Sequence, residues 1–419
     1  MIRLDSFVIK GGRRLQGTVR ISGSKNAALP CLFAALLTDE ACVLENVPDL
    51  QDIRTAVRLL ERLGKKVEVR QGRVTILRHG ALRSQAPYDL VRRMRASAVV
   101  MGPLLGRLGR ADVSLPGGCA IGARPINFHL KAFEAMGARI SVKEGYISAA
   151  GRMKGARVKL PFASVGATEN VLMAASLAQG RTVIENAARE PEIVDLANLL
   201  LSMGARITGA GTERIHVDGV SALHGTRHRV IPDRIEAGTF LVAAAMTRGR
   251  VRLTQVEPGH LTAVIDGLRK ARLRVTVEDS TVEARWVRPL KAVSIKTRVY
   301  PGFPTDMQAQ WMALMAVTPG RCAIEEDIFE NRFLHAQELV RMSARIETQG
   351  NRATVEGGAR LSGCPLMVSD LRAGAALVLA GLAARGTTKV LRVYHLDRGY
   401  ERLEKKLRAL GANIRRVPQ

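Results

Sequence analysis

Apolar residues along this chain follow two alternating rhythms. In RTAVRLLERLG (54–64) and YERLEKKLRALG (400–411) they recur every third or fourth position and leave one polar face, which predicts helices lying on a surface. Six other segments are apolar nearly all the way round: KNAALPCLFAALL, MRASAVVMGPLLG, ATENVLMAASLAQG, RIEAGTFLVAAAMTRG, DMQAQWMALMAVTPG and LRAGAALVLAGLAARG. A helix without a polar face must be buried on every side. Each of these is followed by a short β-branched segment (CVLENV, DVSL, TVIENA, VRLTQV, CAIEEDIF, TKVLRVYHL), which predicts a strand.

The pattern repeats. RLGKKVEV, AMGARISV, SMGARITG, KARLRVTV, MSARIETQ and ALGANIRRV pivot on Gly64, Gly137, Gly204, Arg272, Ser343 and Gly411, spaced by 73, 67, 68, 71 and 68 residues. Glycine suits the left-handed residue that ends a helix, so Arg272 and Ser343 are degenerate copies of the same stop. Six units, three per half, predict an α/β fold of two similar domains, each with sheet wrapped around buried helices. The halves meet near Ile231 and Pro232.

Composition narrows the class. The chain has 419 residues, 47% hydrophobic but only 4% aromatic, so its core is built from small aliphatic side chains. The longest apolar run, Ala373 to Ala384, falls short of the roughly 18 to 20 residues that span a bilayer. The opening MIRLDSFVIKGGRRLQG has no apolar signal region, and the five cysteines are odd in number and scattered. These features read as reduced thiols of a cytoplasmic protein. His and Cys do not cluster along the chain, so no metal site is expected. The net charge of +26 raises nucleic acid as a partner, but the basic residues are dispersed and lack interleaved aromatics. A specific nucleic-acid role is not expected, and an anionic small-molecule substrate is.

Charge placement points to the chemistry. The buried helices open with Lys25 and Asn26, Arg95, Glu169, Arg234 with Glu236, Asp306 and Arg372. Such charges need partners or a water-filled cleft. The loops between strand and surface helix carry Cys119 with Arg124, Glu190 with Glu192, Arg332, and Asp397 with Arg398. Cys119, after two glycines and near an arginine, is placed to be reached and to ionise, whereas Cys31 and Cys322 sit in apolar surroundings. Asp306, by position alone, is as well suited to capping its helix as to catalysis.

Ten motifs carry a resemblance: SGSKNAALP, MRAS, SLPGGCAIGARP, SVGATEN, NAAREPEIVD, PDRIEAGTF, FPTDMQAQ, FENRF, SDLRAGAALVLAG and HLDRGYERLEKKLRALGANI. In order and over nearly the whole chain they resemble the enolpyruvyl transferases that act on UDP-N-acetylglucosamine in peptidoglycan synthesis. The resemblance implies two inside-out α/β barrels, residues 22–231 in one and 1–21 with 232–419 in the other, with the active site in the cleft between them. It implies Cys119 as proton donor, able to carry a covalent phosphoenolpyruvate adduct, and Asp306 as base toward the sugar hydroxyl, with no cofactor or metal. Lys25, Asn26, Arg124, Arg332, Arg372 and Arg398 would hold phosphoenolpyruvate. Asn26, Arg95, Arg124, Pro125, Ile126, Asn127, Phe128, Ser164, Val165, Gly166, Asp306 and Ile328 would hold the nucleotide sugar. The chain departs from many relatives at Asn127 and from some at Phe162, both on the nucleotide side, which keeps an enolpyruvyl transferase acting on another nucleotide open as an alternative. Related transferases acting on shikimate 3-phosphate share the fold, but the cysteine loop and the lack of a NAGTAMRP-type motif separate this chain from them.

Overall fold

The computed structural model describes residues 5–92, 94–114 and 126–418. Within them the chain divides into two compact units, one holding the described residues of 23–231, the other 5–22 and 232–418. Each unit contains three four-stranded sheets of one topology, in which the first strand pairs parallel with the second and the other two follow antiparallel. In the first unit the central strands are Cys42–Glu45, Arg110–Ser114 and Arg181–Glu185. In the second they are Arg250–Thr254, Arg321–Glu325 and Thr387–Leu391. These are the segments where β-branched runs predicted strands.

The rotationally apolar segments form the interior. Helices Lys25–Ala34, Val165–Ala175, Arg234–Met246, Gln308–Val317 and Leu371–Ala383 are buried along nearly their whole length, and Met101–Leu108 is buried from Met101 to Leu105. Ser24, Ser164, Asp233 and Asp370 cap four of them, their side chains accepting from backbone N–H groups of the first turn. Each such cap stabilises a helix by about 1 kcal/mol. The amphipathic segments form the outer helices, as in Gln51–Arg62, which buries Ile53, Ala56, Leu59 and Leu60 and turns its arginines outward.

All six pivots have positive φ, between 71° and 102°, including Arg272 and Ser343. At Gly64 the constraint is also steric, since an added Cβ would fall 2.6 Å from the Ala81 carbonyl oxygen. Helix stop and strand start therefore recur at every copy, whatever side chain stands there.

Two strands are exchanged relative to chain order. Gln16–Arg20 precedes the first buried helix yet pairs with Arg250–Thr254, and Thr226–Arg229 precedes the fourth yet pairs with Cys42–Glu45. At the crossings the Ser24 N–H donates to the Ile231 carbonyl and the Asp233 N–H to the Ser22 carbonyl, both at 2.8 Å. The last sheet is completed by Asp5–Lys10, inserted between Thr387–Leu391 and Asn413–Pro418. Many of the exposed arginines lie on outer strand faces, some paired across strands, as in Arg250–Glu283 and Arg181–Asp218. Among the described residues no helix is long and apolar enough to cross a membrane.

Candidate active site

In the unit of residues 232–418, three predicted residues meet. Asp306 lies in the single 3-10 turn Thr305–Met307 that leads into the buried helix Gln308–Val317. Its carboxylate does not cap that helix. Oδ1 accepts from Nη2 of Arg332 at 2.8 Å, and Oδ2 accepts from Nε and Nη2 of Arg372 at 3.0 and 2.8 Å. The Asp306 side chain is 25% exposed and each arginine 4%. Burial works to raise the Asp306 pKa, but Arg372 and then Arg332 override it and hold the carboxyl well below its usual range.

Both guanidinium groups are aimed by aromatic rings, Arg332 over Phe329 and Arg372 over Tyr400. Among the described residues, Nη1 of Arg332 and Nη1 of Arg372 are buried with no protein acceptor. Two unspent donors beside a carboxylate form a site ready for an anion.

A second ring of side chains fixes this cluster. Tyr400 is buried, and its hydroxyl meets Thr239 Oγ1 at 2.9 Å and accepts from Gln310 Nε2 at 3.1 Å. Glu326 accepts from Thr305 Oγ1 at 2.8 Å and from the N–H groups of Ile328 and Phe329 at 2.9 and 3.1 Å. That carboxylate ties the Ile328 loop to the turn carrying Asp306. His335, buried beside Arg332, is pushed down to about 4 by burial and by Arg332, against Asp370, so it is neutral near pH 7. Asp233 caps the helix Arg234–Met246 and adds negative charge near Arg372. Arg398 ends the 3-10 turn Val393–Arg398, partly buried, and its charge is felt at His395.

In the unit of residues 23–231, Lys25 is the first residue of its buried helix and pairs with Asp52 Oδ2 at 3.5 Å; Asn26 follows it, partly buried. A separate group converges on His129. Gly166 packs so closely against it that a Cβ there would lie 3.1 Å from the ring. Asn170 contacts Nδ1 at 2.6 Å, and Arg95 exerts its charge on the same imidazole. Burial and then Arg95 push His129 down to about 4, leaving it neutral. Ile126, Asn127 and Phe128 open the helix that carries His129, and Ser164 and Val165 open the one that carries Gly166 and Asn170. The two predicted nucleotide stretches are thus neighbours in space. Cys119, Arg124 and Pro125 lie outside the described residues.

One expectation is corrected. Among the described residues Glu169 meets carboxylates rather than a cation: burial first, then Glu192 and Glu190, raise its pKa well above its ordinary value, which favours the neutral acid.

The comparisons with known proteins agree on a family. A family model described as EPSP synthase (3-phosphoshikimate 1-carboxyvinyltransferase) matches residues 9–407. The UDP-N-acetylglucosamine 1-carboxyvinyltransferase of Endomicrobium trichonymphae is 56% identical over 98% of this chain and 99% of its own. That of Geotalea daltonii is 53% identical over 99% and 100%. The chain belongs to the UDP-N-acetylglucosamine 1-carboxyvinyltransferase branch of the EPSP synthase family. A crystal structure of the enolpyruvyl transferase NikO from Streptomyces tendae matches this carboxyvinyltransferase fold over the full length of both chains, with TM-score 0.90 and 26% identity. EPSP synthase from Acinetobacter baumannii shares the fold, with TM-score 0.77 and 20% identity over 99% of this chain and all of its own.

Within the branch, some residues of the site escape reading by type and spacing. Tyr400 and Glu326 stand inside quoted segments, HLDRGYERL and CAIEEDIF, but only the fold reveals that they brace Arg372 and the Asp306 turn. A weak signal existed for Glu326, which follows Glu325 at a position where strand alternation turns inward.

Proposed function

We propose that this protein transfers the enolpyruvyl group of phosphoenolpyruvate to the 3′-hydroxyl of UDP-N-acetylglucosamine and releases phosphate, the first committed step of peptidoglycan synthesis. Membership of the carboxyvinyltransferase branch supports the reaction class. The observation that carries the reading to the residues is Asp306 held between two buried arginines that each keep one donor in reserve.

Chemically, the hydroxyl oxygen attacks C2 of phosphoenolpyruvate while C3 takes a proton, and a tetrahedral ketal forms. Loss of a proton from C3 then expels phosphate. A carboxylate paired with two guanidinium groups is a poor base. Anionic phosphoenolpyruvate competes for Arg332 and Arg372, and that competition returns basicity to Asp306 only when substrate is bound. In this reading Lys25, Asn26, Arg124 and Arg398 complete the grip on phosphate and carboxylate. Arg95, Arg124, Pro125 to Phe128, Ser164 to Gly166, Asn26, Asp306 and Ile328 take the nucleotide sugar. Cys119 supplies the proton to C3 and is the site of a phosphoenolpyruvate adduct.

The proposal includes two inside-out barrels with the substrates between them, a cytoplasmic location and no cofactor. The test is phosphate release from phosphoenolpyruvate by purified protein. Release is expected only with UDP-N-acetylglucosamine, and release with shikimate 3-phosphate instead would sink the assignment. Fosfomycin, an epoxide, is expected to alkylate Cys119. An intact-mass spectrum without adduct, or with the adduct mapped to Cys322, would overturn that residue's role.

A further inference from the structure

Far from Asp306 in sequence, the unit of residues 23–231 brings together three side chains that the proposed reaction does not use. Cys31 lies within the buried helix Lys25–Ala34, Asp195 on the outer helix Pro191–Ser202, and His228 on the edge strand Thr226–Arg229. Asp195 Oδ1 stands 2.9 Å from His228 Nε2, and its Oδ2 stands 3.8 Å from Cys31 Sγ. One sulfur, one nitrogen and one oxygen all lie within 4.8 Å of one another. Cys31, expected to sit among apolar groups, faces a carboxylate and an imidazole instead. Their separations in the chain, 164 positions from Cys31 to Asp195 and 33 from Asp195 to His228, hid this from any spacing rule.

We infer that Cys31, Asp195 and His228 form a binding site for a thiophilic divalent cation of the zinc type. Around tetrahedral zinc, bonds of about 2.0 to 2.3 Å set ligand atoms roughly 3.3 to 3.8 Å apart. The separation of 3.8 Å from sulfur to Asp195 Oδ2 already has that spacing, and the 2.9 Å contact of His228 Nε2 with the other carboxylate oxygen, Oδ1, has to open by about half an ångström as the carboxylate turns one oxygen to the ion. A soft sulfur donor with imidazole selects zinc over magnesium or calcium, which prefer all-oxygen shells. Among the described residues Asp195 meets His228 and Cys31 and no lysine or arginine pairs with it, so its charge is not consumed by a fixed cation.

The alternative occupant of this geometry is a proton. Without a cation the Cys31 thiol faces the Asp195 carboxylate as an S–H, its sulfur 3.8 Å from Oδ2. Cation binding balances as follows. The thiol proton is released to solvent, a metal–sulfur bond replaces the S–H bond, and the imidazole proton moves from Nε2 to Nδ1 so that the Nε2 lone pair faces the metal. Three protein ligands leave a fourth position for water. The His228 side chain is 12% exposed and offers the route in, while Cys31 and Asp195 are sealed at 1% and 3%. A bound cation would join the inner helix, the outer helix and the strand that closes the unit's first sheet.

The experiment is cobalt(II) titration of the reduced, metal-free full chain, followed by zinc. Expected are one cobalt per chain, a thiolate-to-cobalt charge-transfer band with intense visible bands of a tetrahedral ion, their loss on adding zinc, and a zinc-dependent rise in Tm. Cys31→Ala is expected to abolish the charge-transfer band while Cys119→Ser retains it. His228→Gln, a change on an edge strand that keeps the fold testable if Cys31→Ala does not, is expected to weaken binding by tenfold or more, beyond the roughly tenfold that outer-shell changes begin at. No charge-transfer band in the unaltered chain, a band that survives Cys31→Ala and follows Cys119, or unchanged affinity in His228→Gln would each overturn the proposal. None of these outcomes depends on the enolpyruvyl reaction.

Discussion

Asp306 and Glu169 are two carboxylates near the starts of buried helices, one in each unit, and the protein treats them oppositely. Asp306 faces Arg372 and Arg332 and is held ionised well below its usual range. Glu169 is more deeply buried, 5% exposed, and faces Glu192 and Glu190, so its pKa is raised well above its ordinary value. A place near the start of a buried helix thus does not by itself set the charge state. What decides it is the sign of the neighbours, which come from a different segment in each case. The ionised member is proposed to work in the reaction, whereas for Glu169 burial and the neighbouring Glu192 and Glu190 favour the neutral form.

The largest effect expected from breaking this contrast is in Asp306→Asn. It removes the base, leaves two buried guanidinium groups without a carboxylate, and should lower kcat/KM by about 10² to 10⁴. A loss under tenfold would show that Asp306 is only an anchor for the arginines. Next is Arg372→Lys, which keeps the charge but cannot repeat the two-point contact made by Nε and Nη2. KM for phosphoenolpyruvate should rise about tenfold, with a smaller fall in kcat, and an unchanged KM would place the anion elsewhere.

Stability against pH separates the two carboxylates by sign. The ionised form of Asp306 is favoured by folding, so its contribution is present above an unfolded value of about 3.9 and is lost as pH falls. The neutral form of Glu169 is favoured, so its contribution is whole below about 4.3 and is lost as pH rises toward the raised folded value. Chemical denaturation across pH should therefore show the acid-side slope flattened in Asp306→Asn and the decline with rising pH flattened in Glu169→Gln. Identical profiles for the two variants would break the comparison. Smallest of all is Glu169→Gln below about pH 4, where the acid is neutral in the unfolded chain as well, and the variant is expected within about 1 kcal/mol of the parent because a neutral amide replaces a neutral acid of the same shape. A loss of several kcal/mol would mean Glu169 is ionised.

The repeat was legible in the sequence because it is written in local physics. A left-handed helix stop followed by β-branched residues reads the same at Gly64 and at Arg272, and both have positive φ. The rotational apolarity of the six inner helices likewise needs no partner to be recognised. What stayed hidden depends on residues far apart in the chain. Thr226–Arg229 pairs with Cys42–Glu45, Tyr400 meets Thr239, and Cys31 meets Asp195 and His228. The roles of Arg332 and Arg372 came from the resemblance, not from their spacing, and the structure adds that both grip Asp306. Glu169 was misread because a buried charge has a third option besides a partner or water, which is to take up a proton.

The exchanged strands set an order on synthesis. Residues 23–231 contain every strand of their own unit, so that unit can close as soon as Thr226–Arg229 has left the ribosome. Asp5–Lys10 and Gln16–Arg20, made first, must wait for Arg250–Thr254, Thr387–Leu391 and Asn413–Pro418 before they have partners. Once residue 231 has emerged, the nascent chain therefore carries a finished body behind a pair of strands still unpaired, one of them holding the apolar FVI of residues 7–9. At an elongation rate of about 5 to 20 residues per second, the wait of those two strands for their partners lasts tens of seconds.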